Sequence, residues 1–314
     1  MPRRAIRSSG CALLATIPVL LGTPALGDEP LFGFIYTTDL LPKGRSEVEQ
    51  WLTWRTQKAG GYYDQLENRT EFSYGVTSAF QLSGYLNYNW TEAYHNGPDG
   101  TTTPPEQFSA NRFDPNGRFS ATKFVGASLE AIYRVMSPYV DPIGLAFYFE
   151  PTFGGGDFNE FETRIILQKN FLDDRLVIAA NLTWAPELRY IPGDPTQPPG
   201  SKLSHANTNV ETDVNWSVGA SYRFAPSWSL GWEFQNEREF DEWAIFAPSH
   251  AMGDAYYTGP TIHYGGKRFF ITLTAWEQLP FAHNYSDPSV IVHGRDYDVD
   301  FEKYRVRLKL GYYF

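Results

Sequence analysis

The sequence predicts an all-β protein: a transmembrane, antiparallel, up-and-down β-barrel of about twelve strands, with short turns at one end and longer loops at the other. Three observations predict it. Apolar and polar residues alternate with period two again and again from residue 46 to the C-terminus, aromatics reach 17%, and the one long apolar run lies at the N-terminus. In a membrane barrel alternate side chains meet lipid and a watery lumen. A mean hydropathy of −0.39 then coexists with many short apolar stretches.

The N-terminus carries Arg3, Arg4 and Arg7, then the apolar run from Cys11 to Leu21, then Ala25-Leu26-Gly27 as a small-x-small site. This is the pattern of a cleaved signal peptide over residues 1–27. The run is shorter than the ~20 residues a spanning helix needs, and it contains Pro18. Cleavage removes Cys11, the single cysteine, so the mature chain forms no disulfide. It also removes three of 26 basic residues against 36 acidic, which moves the net charge from −10 to −13. Such a balance argues against nucleic acid as a partner. Residues 28–45 are expected to form an N-terminal periplasmic segment and residues 46–314 the barrel.

The strands follow in order. Ser46–Gln57 places Val48, Gln50, Leu52 and Trp54 outside, with Glu47, Glu49, Trp51, Thr53 and Arg55 inside. Tyr63–Tyr74 turns Glu67, Arg69 and Glu71 inward, and Phe80–Trp90 opposes Leu82, Leu86 and Tyr88 to Gln81, Asn87 and Asn89. Phe119–Met136 carries Glu130 and Arg134 on its polar face, Gly144–Phe153 carries Tyr148 and Glu150, and Phe158–Asn170 carries Glu160, Glu162, Arg164 and Gln168. Arg175–Tyr190 has Asn181 and Thr183 inside. Val210–Phe224 turns Glu211, Asp213 and Arg223 inward, and Trp228–Glu237 turns Glu233, Gln235 and Glu237 inward. Asp254–Tyr264, Lys267–Gln278 and Val299–Phe314 complete the set, the last with Arg305, Arg307 and Lys309 inside. Pro260 makes the tenth the weakest assignment, because proline gives no ladder donor.

The connections support an even count. The segments 75–79, 137–142, 171–174, 225–227 and 265–266 are short and rich in Gly, Pro, Asp or Ser. The long segments 93–118, 191–209, 240–253 and 280–298 all fall at the opposite end. Aromatics such as Phe72, Tyr74, Trp228, Tyr312 and Phe314 bunch beside the short turns, as interfacial girdles do.

The stretch Leu40-Leu41-Pro42-Lys43-Gly44, with Glu47, Glu49-Gln50-Trp51, Thr53, Arg55 and Ala59-Gly60-Gly61, resembles an uncharacterised family of proteobacterial outer-membrane barrels. Arg69-Thr70-Glu71, Tyr74-Gly75-Val76-Thr77, Phe80-Gln81 and Tyr85-Leu86-Asn87-Tyr88 extend the resemblance over the first third of the mature chain. It implies a fold and a location, with no substrate and no catalytic residue. A terminal Phe314 behind Tyr312 likewise resembles the signal read by the outer-membrane assembly machinery.

Function then rests on the inward residues. An axial gradient is expected, with Glu67, Glu160, Glu162, Glu211, Asp213 and Glu237 near the outer mouth. Arg134, Arg223, Arg305, Arg307 and Lys309 are expected nearer the periplasm, facing Glu47, Glu49 and Glu71. Closure of the barrel should bring Glu47 and Glu49 to Arg307 and Lys309. Glu130, Arg69, Arg164 and Glu233 complete the candidate lumen. Two readings are open: a structural salt-bridge network that plugs and stiffens the barrel, or a charge-graded pore whose acidic mouth concentrates cations.

His95, His205, His250, His283 and His293 fall in loops without tight ligand spacing, so no metal and no cofactor is assigned. Acidic loops suit calcium that bridges lipopolysaccharide. A lipid hydrolase needs serine beside an oriented histidine, and the strand histidine, His263, has Thr261 as its nearest same-face hydroxyl. The sequence therefore points to a monomeric, non-enzymatic barrel passing small polar or charged solutes. The alternatives are a closed barrel that binds through its loops and, third, a lipid-modifying enzyme.

Overall fold

The computed structural model describes residues 30–105, 114–154, 158–191, 193, 204–243, 248–292 and 297–314. The expected signal peptide lies outside the described residues. Twelve strands form one closed antiparallel barrel: β1 (Ser46–Thr56), β2 (Tyr62–Thr77), β3 (Phe80–Tyr94), β4 (Phe119–Met136), β5 (Gly144–Phe153), β6 (Phe158–Phe171), β7 (Leu176–Ile191), β8 (Asn207–Ala225), β9 (Trp228–Asp241), β10 (Ala251–Gly265), β11 (Phe269–Gln278) and β12 (Tyr304–Tyr313). Each strand pairs with its sequence neighbours, and β12 pairs with both β11 and β1 to close the ring. Closure leaves no edge strand, so ladder hydrogen bonds are satisfied without water.

The alternation of the sequence becomes two surfaces. Leu82, Leu86, Tyr88, Phe124, Leu129, Phe147, Trp216, Leu230 and Trp232 lie exposed on the outer wall, where lipid covers them. Glu47, Glu49, Thr53, Glu71, Gln81, Glu130, Gln168, Asn181 and Glu233 lie buried inside. Pro260 is accommodated within β10. The β10–β11 register lapses between Thr258 and Thr261, so no ladder donor is missing there. Gly259 permits the close approach: a Cβ at this position would lie 1.8 Å from the Ala275 carbonyl oxygen.

The last strand begins at Tyr304 rather than at Val299, because Val299, Asp300, Phe301 and Glu302 fold into the barrel mouth. The turns 78–79, 137–143, 172–175, 226–227 and 266–268 cluster at one end, here the turn end, and the longer connections at the loop end.

Residues 30–42 correct the expectation of a periplasmic segment at 28–45: they run inside the barrel. Pro30 meets β11 near the turn end through Thr272 Oγ1, 2.6 Å from its carbonyl. The chain rises to Phe34 and Tyr36, then returns to the turn end at Leu41 and Pro42, beside Gln81 and Gly75. Its sequence, Leu31-Phe32-Gly33-Phe34-Ile35-Tyr36, is too apolar to remain in water, and the inward wall receives it. Leu31, Phe32 and Ile35 pack on Val177 and Ala179. Phe34 stacks on Trp276 at 3.9 Å between ring centroids, and Leu40 joins Ile132, Ala146 and Ile166.

Wall side chains hold much of the backbone of this plug. Glu233 accepts from Gly33 N at 2.8 Å and Phe34 N at 3.0 Å. Asn181 accepts from Tyr36 N at 2.7 Å and donates to its carbonyl at 2.9 Å. Gln168 accepts from Thr38 N at 2.7 Å and Gln81 from Leu41 N at 2.8 Å. Arg307 donates to the Gly33 carbonyl at 3.2 Å and Arg134 to that of Thr38 at 3.1 Å. Without these partners the buried peptide groups would cost roughly 1–3 kcal/mol each.

Candidate functional site

Above the plug, toward the loop end, the lumen opens into a vestibule of 560 Å³. Phe34, Tyr36 and Trp51 line it where the plug begins, and beneath them lies a space of 30 Å³ bordered by Glu49, Glu71, Glu130 and Lys309. Two loops fold in from the top: Asn96, Gly97, Pro98 and Thr103–Pro105 from the β3–β4 connection, and Val299–Glu302 from the β11–β12 connection.

The walls are charged by design of the two-residue repeat. Ten carboxylates line the vestibule: Glu67, Glu150, Glu160, Glu162, Glu187, Asp213, Glu237, Glu239, Asp300 and Glu302. Seven cations oppose them: Arg55, Lys58, Arg69, Arg164, Arg189, Arg305 and Arg307. Most are paired. Arg55 binds Glu67 at 2.7 Å and Glu302 at 3.2 Å, and Lys58 approaches Glu302 at 3.4 Å. Arg69 crosses to Glu150 at 2.5 Å with its guanidinium 4.2 Å from the Tyr85 ring centroid. Arg189 bridges Glu187 at 2.9 Å and Glu211 at 3.1 Å. Arg305 bridges Glu237 at 2.5 Å and Glu302 at 3.1 Å, and Arg164 pairs with its strand neighbour Glu162. Burial alone would raise the Glu302 carboxyl, but Lys58, Arg55 and Arg305 outweigh it and hold the group well below the usual carboxylate range.

The expected residues are thus distributed over three levels. Glu67, Arg69, Glu160, Glu162, Arg164, Asp213, Glu237, Arg305 and Arg307 share the vestibule. Glu71, Glu130, Arg134, Glu233 and Lys309 lie beside or below the plug. Arg223 reaches the carbonyl of Asp174 at the turn end.

Two expectations are corrected, and the closure of the barrel is specified. Arg305 and Arg307 belong to the vestibule and not to the expected turn-end half, because β12 starts five residues later in the sequence and its first inward positions lie at the loop end. The charge asymmetry runs across the lumen more than along it: β12, β1 and β2 carry Arg305, Arg307, Arg55 and Arg69, while β6, β7 and β8 carry Glu160, Glu162, Glu187 and Asp213. The β1–β12 register also sets Arg307 opposite Thr53 and Lys309 opposite Trp51, with Glu49 opposite Gly311. Arg307 therefore donates to Thr53 Oγ1 at 2.8 Å, and Lys309 Nζ sits 3.7 Å from the Trp51 ring centroid. Neither is set directly across from Glu47 or Glu49, while Lys309 and Glu49 border the same 30 Å³ space and both meet Trp51.

Sequence reasoning passed over Glu187 and Arg189, which follow Asn181 and Thr183 at the same parity of β7, and the plug, whose signal was its apolar run. Of the loop histidines, His293 lies outside the described residues. Among the described residues no cluster of three or more His, Cys, Asp or Glu side chains could hold a metal ion. His263 is buried inside with Nδ1 2.8 Å from Thr272 Oγ1, and the inward Ser229 stands opposite it in the β9–β10 register.

The barrel is similar to solved structures of outer-membrane proteins. An outer-membrane channel from Pseudomonas putida F1 aligns with a TM-score of 0.53 and 12% identity over 88% of this chain and 98% of that one. The β-domain of the Bordetella autotransporter BrkA aligns with a TM-score of 0.50 and 11% identity over 87% and 100%. At such identities the likeness is one of fold. No curated protein matches the sequence. The model of a family of unknown function, DUF6662, matches residues 24–314, and the chain belongs to that family.

Proposed function

We propose that the protein is a gated channel of the bacterial outer membrane for small polar or charged solutes, with its own N-terminal segment as the gate. The turn end faces the periplasm and the vestibule faces the cell exterior. One observation carries this reading: a polar, charge-lined vestibule of 560 Å³ stops at a segment held by side-chain hydrogen bonds and not by ladder pairing. A purely structural interior has no need of such a space. The P. putida neighbour, described as a channel, supports the reading by analogy of fold. In this reading the barrel works as a monomer, inserts through the assembly machinery by its C-terminal strand, and meets lipopolysaccharide at its loop end. Tyr312 and Phe314 lie exposed on the outer wall with ring centroids 5.1 Å apart.

The test uses the absence of cysteine after residue 27. A Cβ at Gly144 would lie 2.5 Å from Thr38 Oγ1 and 2.9 Å from Pro138 Cδ, so Thr38→Cys with Gly144→Cys, after a small shift of the 137–143 turn, should form a disulfide that locks plug to wall. Single-channel recording in a planar bilayer should show a silent barrel when oxidised and openings after reduction. A reduced, correctly folded barrel that stays silent sinks the channel reading and leaves a closed barrel acting through its loops.

A further inference from the structure

Two charged side chains of the vestibule stand outside its ion-pair network. Glu160 on β6 makes no hydrogen bond or ion pair with any described residue. Its register partner on β7 is another carboxylate, Glu187, and Glu162 follows two residues on. Arg307 on β12 makes no ion pair with any described residue. Its Nε is given to Thr53 and its Nη1 to the Gly33 carbonyl, its guanidinium lies 4.0 Å from the Phe34 ring centroid, and Nη2 has no partner among the described residues. Both side chains line the vestibule. In the closed ring β6 and β12 are six strands apart in either direction, so the two face each other across the lumen.

A charge left unpaired in a confined space is costly, and these two lie on opposite walls, where they cannot neutralise each other. Twelve strands at ~4.8 Å spacing and ~40° tilt give a backbone diameter of roughly 24 Å. Long side chains on both walls take up about half of it and leave a gap on the order of 10 Å. We propose that the vestibule is a binding site for a zwitterionic solute of short-peptide size. Its cationic end sits on the Glu160 wall and its anionic end on the Arg307 wall. Trp51, Phe34 and Tyr36 supply the apolar base against which the uncharged middle rests. A single amino acid carries both charges on one carbon and spans too little of the gap. Three residues span roughly 10 Å.

The inference rests on the channel reading for its physiological use, although binding from the loop end does not require the gate to open. Titration calorimetry of the refolded full chain in detergent tests it with three probes: trialanine, N-acetyl-trialanine, which is only an anion, and trialanine amide, which is only a cation. Trialanine should bind about tenfold or more tighter than either, the worth of one charged hydrogen bond. Glu160→Gln should remove the preference over the acetylated probe, and Arg307→Gln the preference over the amide. Retained heat-modifiable migration on gels shows that each variant is folded, and a folded variant that keeps its preference overturns the assignment. Equal affinities for all three probes, or no heat from any at millimolar concentration, also overturn it. Conductance on the same samples separates the two failures: a conducting barrel without the preference loses only this site, and a silent one that binds trialanine loses only the channel.

Discussion

At the scale of single residues, the interior shows how small side chains make room and how confinement moves protons. Gly219 on β8 is an inward position where a Cβ would lie 2.8 Å from both Phe32 Cε1 and Ile35 Cδ1. The plug therefore docks against bare backbone at that point, and Ala179 on the neighbouring strand continues the gap. In the loop over the mouth, Asp298 is buried. It accepts from Asn284 at 3.0 Å and from the Asp300 backbone at 3.1 Å. Burial pushes its carboxyl up to about 7, against those hydrogen bonds and with help from Asp300 and Asp254. A carboxyl raised in the folded state holds its proton more tightly there than in the unfolded chain. Its contribution is therefore favourable at low pH and is lost as pH rises from the ordinary 3.8 to about 7. The β11–β12 loop should be cut faster by an added protease at pH 8 than at pH 5, measured relative to Asp298→Asn at each pH. A ratio that does not change with pH removes the carboxyl from the account.

At the scale of elements, strand and plug differ in how much of them the sequence discloses. A barrel strand has two unlike faces, so its parity is written in the residues themselves. Glu211, Asp213, Asn215, Ser217, Ser221 and Arg223 against Val210, Val214, Trp216 and Val218 leave little choice of register. Residues 30–42 carry no such period. Their partners, Glu233, Asn181, Gln168 and Gln81, are more than 35 residues away and on four different strands, so no local pattern announces the docking. Only the apolar content of Leu31–Tyr36 hinted that the segment would leave water. The vestibule was legible in part for the same reason: parity placed Glu160 and Arg307 inside, but which charges pair follows from shear and register, which the sequence does not print. Because the ladders close the barrel without the plug, deletion of 30–42 should leave a folded, heat-modifiable barrel with a larger and less gated conductance. Loss of heat-modifiable migration would instead make the plug a part of the barrel's core.

At the scale of the whole molecule, the vestibule's described lining has three more carboxylates than cations, and in the proposed channel this small excess is what a permeating ion would sense. Paired charges at 2.5–3.2 Å, such as Arg305–Glu237 and Arg55–Glu302, present dipoles whose fields fall off quickly, so the unpaired groups dominate the potential. The screening length is about 10 Å at 0.1 M salt and about 3 Å at 1 M, while the lumen gap is on the order of 10 Å. The excess should thus reach across the whole lumen in dilute salt and only a fraction of it in concentrated salt. Reversal potentials of reduced or plug-deleted barrels under asymmetric KCl should accordingly show a cation preference near 0.1 M that fades toward 1 M. Arg307→Gln removes an unpaired cation and should strengthen the preference, whereas Glu160→Gln should weaken it. If both substitutions move the reversal potential in the same direction, the field of the vestibule is not set by these two residues, and selectivity lies in the loops above the mouth.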